Sequence, residues 1–305
     1  MQKTKSKNYV FIWLQAIRVF SLTASVVPVS VGAAIAFAGK EEVFWGLFPL
    51  VLFCSVMFQA GTNMINDYYD FKKGIDTADS YGSSRCLVEG LLRPGQMLIS
   101  GLCAFALGIF GGFVLIYFRG WPVLLLGITG FIGGLCYTAK PVSYKNIALG
   151  DIAVFILMGP LMVIGSYFCL TGHYDNSILF ISIPIGFLVT AILQANNARD
   201  IGRDSQAGIK TVAVLLGLER AKVCYIFLLL GAYIAAVVMV LMGILNLWVL
   251  IVFCSLPLAL KNIKTIYNCS GSCVESIASL DVMTAKLHLM FGVLLMAGIL
   301  LGKFF

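Results

Sequence analysis

Apolar residues run in blocks of close to twenty along most of this chain, and charged residues gather in the short stretches between them. Blocks of that length suit helices that cross a bilayer; the strands of a membrane barrel would alternate in segments of about ten. Nine spans are predicted, at 20–38, 43–66, 97–118, 121–138, 148–170, 177–197, 223–243, 245–262 and 283–302. Residues 1–19 form a mildly amphipathic segment that begins with Lys3, Lys5 and Lys7. No small-residue cleavage site follows it cleanly, so the first span reads as retained rather than as a removed signal peptide. No Ser- or Pro-rich linker interrupts the chain, and residues 1–305 read as a single all-α polytopic domain.

Composition agrees with the pattern. The chain is 60% hydrophobic and 11% charged, whereas a soluble domain carries about 25% charged residues. With nine spans and a cytoplasmic N-terminus, the loops 67–96, 139–147, 198–222 and 263–282 share the cytoplasmic side. All 21 Lys and Arg except Lys40, Arg119 and Lys303 then lie on or near that side. The net charge of +7 is therefore a topology signal and calls for no nucleic-acid partner. Of the nine cysteines, most fall in spans and read as small packing residues. Cys269 and Cys273 share a short loop, too few ligands for a structural zinc site.

The fourteen acidic residues are not spread evenly. One group reads Asn66-Asp67-Tyr68-Tyr69-Asp70 with Asp76 and Asp79 behind it, and a second reads Asn196-Asn197-Ala198-Arg199-Asp200 with Asp204. Each closes a span and opens a polar, Gly-containing loop, a weak internal repeat. On a helix, Asn63, Asn66, Asp67 and Asp70 fall at i, i+3, i+4 and i+7, one face; Asn197, Asp200 and Asp204 do the same. Gly74 is placed to turn the chain back so that Asp76 returns toward that face. Carboxylates crowded at membrane depth repel one another unless cations neutralise them. Oxygen-only ligands without His or Cys suit Mg²⁺, which commonly shares its shell with substrate phosphates. Lys72, Lys73, Arg85, Lys140, Lys145, Arg199, Arg203 and Lys210 lie in the same cytoplasmic segments, where cations would hold the remaining phosphate oxygens.

The paired motifs, together with Ser84-Arg85-Cys86-Leu87-Val88-Glu89-Gly90, Tyr137-Thr138, Ala148-Leu149-Gly150-Asp151 and Thr284-Ala285-Lys286-Leu287-His288, resemble the UbiA superfamily of intramembrane prenyltransferases. The five residues between Asp70 and Asp76 resemble its menaquinone branch, which prenylates 1,4-dihydroxy-2-naphthoate. That resemblance covers most of the chain. It implies nine helices around a central cavity and a bacterial inner-membrane enzyme with its active-site loops in the cytoplasm. A polyprenyl diphosphate and an aromatic acceptor would be the substrates, and demethylmenaquinone, CO₂ and diphosphate the products. Mg²⁺ would bind through Asn66, Asp67, Asp70, Asp76, Asp200 and Asp204. Asn63, Lys72, Arg85, Lys140, Asn196, Asn197, Arg199 and Lys210 would contact substrate, while Asp70, Asp200, Tyr137 and Lys145 would act in catalysis. The superfamily's Tyr-x-x-x-Lys signature is not clean, since Tyr137 precedes Lys140 and Tyr144 precedes Lys145. Other acceptors (4-hydroxybenzoate, homogentisate, a glycerol ether lipid) are alternatives. A cation-coupled transporter is the alternative from another class, since internal repeats also build transporters.

Overall fold

The computed structural model describes residues 8–77, 81–137, 143–270 and 274–305. Its regular elements there are helices, with one isolated backbone bridge between Ile147 and Lys210. They are α1 (Tyr9–Ala16), α2 (Thr23–Ala38), α3 (Phe48–Lys72), α4 (Pro94–Arg119), α5 (Trp121–Leu135), α6 (Gly150–Ile156), α7 (Met162–Thr171), α8 (Asn176–Gln206), α9 (Val212–Leu216), α10 (Leu218–Leu241), α11 (Leu256–Tyr267) and α12 (Leu280–Phe304).

Among the described residues eight helical segments are long and apolar enough to cross a bilayer. The fourth predicted span, 121–138, is only the 15-residue α5. It starts at Trp121 with Pro122 in its first turn, where the missing N–H costs nothing, and stops at Leu135. The predicted span 148–170 is a composite of α6, a π-helical turn at Leu157–Leu161 and α7. Pro160 removes a backbone donor inside that turn, and the backbone at Gly159 lies against Gly186 of α8. A Cβ on Gly159 would sit 2.6 Å from the Gly186 Cα, so the widened turn lets two helices touch backbone to backbone.

The 31-residue α8 is the axis of the bundle. At 1.5 Å per residue it extends about 46 Å, longer than the roughly 30 Å hydrocarbon layer. It packs against α2, α6, α7, α9, α10 and α12. Helix α3 lies along α4 and also meets α2 and α5. Side chains such as Phe110, Tyr117 and Leu241 point outward and are exposed, where lipid tails replace water at no cost.

Long-range contacts define the two ends. At one, Arg119 donates to the Cys169 and Leu170 carbonyls at 2.7 Å each. The other gathers the polar segments. Ile12 and Ala16 of α1 pack with Cys86, Leu87, Leu92 and Met97, while the Gln15 amide donates to the Ser84 carbonyl at 2.7 Å. The N-terminal segment thereby clamps the loop that follows α3. Both motif helices end alike: Gly74 and Gly208 take left-handed φ of 71°, and the next residue, Ile75 or Ile209, donates back to the carbonyl of Asp70 or Asp204. Glycine adopts that conformation without a Cβ penalty, so the repeat seen in sequence is one turn built twice.

Candidate active site

Between α3 and α8 lies a cavity of about 520 Å³ with a polar mouth and an apolar interior. Its mouth carries Asn66, Asp70 and Asp76 from the first motif and Asn196, Asp200 and Asp204 from the second. Arg18, Lys145 and Arg203 bring positive charge to the same rim. Deeper in, Val51, Phe58, Phe131, Leu157, Met162 and Val189 line the walls. Val51 and Asp70 are nineteen residues apart on one helix, so the cavity runs about 28 Å along α3.

The first motif divides its labour. Asp70 accepts a 2.8 Å ion pair from the Lys145 ammonium. Burial, the largest influence on Lys145, works against its charge, but Asp70 and its other neighbours outweigh burial and raise its pKa. Asp67 turns away from the cavity lining: it pairs with Arg18 and accepts the Ser84 N–H at 3.0 Å. Asn63 lines the cavity and donates to the Ile17 carbonyl and the Ser21 hydroxyl, 2.9 Å each, which holds the turn that carries Arg18. Arg18 itself sits in the left-handed region at φ 55°. Asp76 returns to the mouth as the Gly74 turn predicts, and its carboxyl is pushed up to about 7, first by burial and then by Asp67 and Asp70.

The second motif is held from behind. Arg199 donates to Asn196 Oδ1 at 2.6 Å and to Asp200 at 2.8 and 3.2 Å, and it is fully buried. Asn197 donates to Asp151 at 3.2 Å. Tyr137 lines the cavity with its ring edge-on to Tyr144, centroids 5.5 Å apart, and the Lys145 N–H donates to the Tyr137 carbonyl at 3.1 Å. Burial, more than any neighbour, raises the Tyr137 phenol to about 12. Tyr137 and Lys145 therefore stand together at the rim, although seven residues separate them in sequence.

Several residues expected to contact substrate lie elsewhere. Lys72 is exposed with its ammonium over the Tyr68 ring, Arg85 pairs with Glu89 at 3.0 Å, and Lys210 is exposed beside the Ile147 bridge. Arg199 is tied up by Asn196 and Asp200 of its own motif and by Asp281 of α12 rather than lining the cavity. Lys140, with Asp79 and Cys273, lies outside the described residues. Arg18 has no signal in its local sequence; only its contact with Asp67, 49 residues away, reveals it.

Among the described residues no three His, Cys, Asp or Glu side chains cluster tightly enough to hold a metal unaided. The donor set nevertheless suits a hard divalent cation, because the mouth offers carboxylate and carboxamide oxygens only. Mg²⁺ in such sites takes one or two carboxylates and fills its shell with water and phosphate.

Residues 25–270 match the UbiA prenyltransferase family. The chain belongs to that family. It is 34% identical over 294 residues to the 1,4-dihydroxy-2-naphthoate octaprenyltransferase of Bacillus subtilis (strain 168), covering 96% of this chain and 93% of that one. It is 33% identical to the UbiA prenyltransferase domain-containing protein 1 homolog of Drosophila melanogaster, covering 92% of this chain and 77% of that one. Its fold is similar to an apo UbiA homolog from Aeropyrum pernix K1 (TM-score 0.65, 15% identity, 93% of this chain and 97% of that one). It is also similar to a UbiA homolog from Archaeoglobus fulgidus bound to DMAPP and Mg²⁺ (TM-score 0.53, 16% identity, 93% and 98%). As a member of this family the chain is an integral membrane prenyltransferase. The transporter alternative falls away.

Proposed function

We propose that this enzyme transfers a polyprenyl group from its diphosphate to 1,4-dihydroxy-2-naphthoate in a Mg²⁺-dependent reaction. The products would be the reduced, quinol form of demethylmenaquinone, CO₂ and diphosphate. The observation that carries the reading is the mouth of the cavity, where two acidic motifs face three cations above a long apolar channel. The acceptor follows the Bacillus subtilis relative, whose name states it and which aligns with nearly the whole chain. With that acceptor the enzyme belongs in a bacterial inner membrane, its motif-bearing end in the cytoplasm as the charge bias directs.

Asn66, Asp70, Asp76, Asn196, Asp200 and Asp204 would hold the metal, which neutralises diphosphate charge as the allylic C–O bond opens. Arg18, Lys145 and Arg203 reach the same rim and bind the remaining phosphate oxygens. The apolar interior takes the prenyl tail and keeps water from the allylic cation. Tyr137 presents an aromatic face at the boundary between the two regions, where cation–π attraction stabilises that charge. Its raised phenol stays protonated at neutral pH, so it hydrogen-bonds rather than accepts a proton.

Supplying one prenyl diphosphate with 1,4-dihydroxy-2-naphthoate, 4-hydroxybenzoate, homogentisate or a glycerol ether lipid tests the acceptor. The naphthoate should give the highest kcat/KM; a higher value for any other acceptor would replace it. Asp76 adds a pH dependence. Its proton must leave before its carboxylate can bind a cation, so metal affinity is complete above pH 7 and falls as pH drops through about 7. Half-saturating Mg²⁺ should rise about tenfold per pH unit below that point, and Asp76→Asn should flatten the dependence.

A further inference from the structure

Arg199 is surrounded by more acceptors than one functional carboxylate requires. Besides Asn196 and Asp200, it donates to the Ala278 carbonyl at 3.2 Å and pairs with Asp281 of α12 at 3.1 Å. Asp281 is itself buried and fixed by the Val282 N–H at 2.8 Å. It sits in the first turn of α12, where unpaired helix amides favour a negative charge. The guanidinium is also blocked on the loop side. A Cβ on Gly82 would lie 2.7 Å from Arg199 Nη2 and 2.9 Å from Asp200 Oδ2, so that loop is seated directly against the pair.

One buried cation is thus shared by two buried or half-buried carboxylates. A one-to-one pair would leave Asp200 neutralised and reluctant to exchange its partner for another cation. With Asp281 taking the far edge of the guanidinium, the trio keeps a net negative charge that meets the cavity through Asp200, where Arg203 approaches the carboxylate at 3.8 Å. We infer that Asp281 is a positioning residue for the second acidic motif, holding Arg199 so that Asp200 stays oriented and free to bind a divalent cation. This rests on the assignment of Asp200 to the metal site. Asp281 lies 81 residues beyond Asp200 and outside both motifs, so its part in the site follows from the three-dimensional contact alone.

The test uses purified full-length protein in detergent or nanodiscs, with Mn²⁺ binding followed by electron paramagnetic resonance and melting temperature recorded alongside. Asp281→Asn should raise half-saturating Mn²⁺ by roughly 10–100-fold, the usual effect of removing a partner that orients a metal ligand. Arg199→Lys keeps the charge but loses the planar fork, and should shift Mn²⁺ binding in the same direction. The double variant should cost no more than the larger single change, because both act through Asp200. A role confined to packing would lower the melting temperature and leave Mn²⁺ binding of the folded fraction unchanged, which would overturn the inference. If Asp281→Asn does not fold, Arg199→Lys decides: wild-type Mn²⁺ binding there overturns it too. Asp200→Asn separates the two levels. Unchanged Mn²⁺ binding in that variant would remove the metal-site assignment itself, whereas a loss there with wild-type binding in Asp281→Asn would remove only the role of Asp281.

Discussion

Asp200→Ala and Asp70→Ala should each lower prenyl transfer by about 10²–10³-fold or more, with the protein still folded and inserted. The two carboxylates lie on different helices, α8 and α3, yet both line one cavity mouth. If they serve one diphosphate, removing either leaves the other with an incomplete site, and the double variant should lose little beyond the worse single change. Independent roles would instead multiply. The check is kcat and kcat/KM at saturating Mg²⁺ for the two single variants and the double, with melting temperatures to confirm folding.

Lys145→Met carries the second large effect. The Lys145 ammonium is bonded to Asp70 at 2.8 Å in a largely buried setting, and its raised pKa keeps it charged throughout the physiological range. Breaking a buried pair from one side costs about 3–5 kcal/mol when the other charge is left without a partner. Part of that is recovered when a divalent cation takes Asp70, so the variant should melt at a lower temperature without Mg²⁺ and regain stability with it. Catalysis should not be regained, because the cation that would clamp diphosphate is gone; a loss of about 10²-fold or more in kcat is expected. Lys145→Arg should keep the stability and part of the rate. Full activity in Lys145→Met would remove this lysine from the reaction.

The sequence disclosed the fold class because a helix-crossed membrane leaves its signature in local composition. Every predicted span has a helical counterpart, and α5 is merely shorter than expected. The predicted ends at 66 and 197 fall short. Both motif helices continue, to Lys72 and Gln206, since a helix does not stop where hydropathy drops if glycine caps it further on. Helical spacing also put Asn63, Asn66 and Asp70 on a common face, and those residues do line the cavity. The same spacing said nothing about pairing through space. Asp67 shares that face but is occupied by Arg18, and Arg199 shares the second motif but is occupied by Asp281. Contacts between residues 49 or 82 positions apart have no local periodicity to reveal them.

Binding of a prenyl thiolodiphosphate, which resists ionisation, tests most directly whether the two motifs form one diphosphate site. Titrated calorimetrically into the purified protein, it should bind with Mg²⁺ and bind far more weakly with EDTA. Either Asp70→Asn or Asp200→Asn should abolish the Mg²⁺-dependent part. Equal binding with and without the metal, or undiminished binding in either variant, would contradict a shared site.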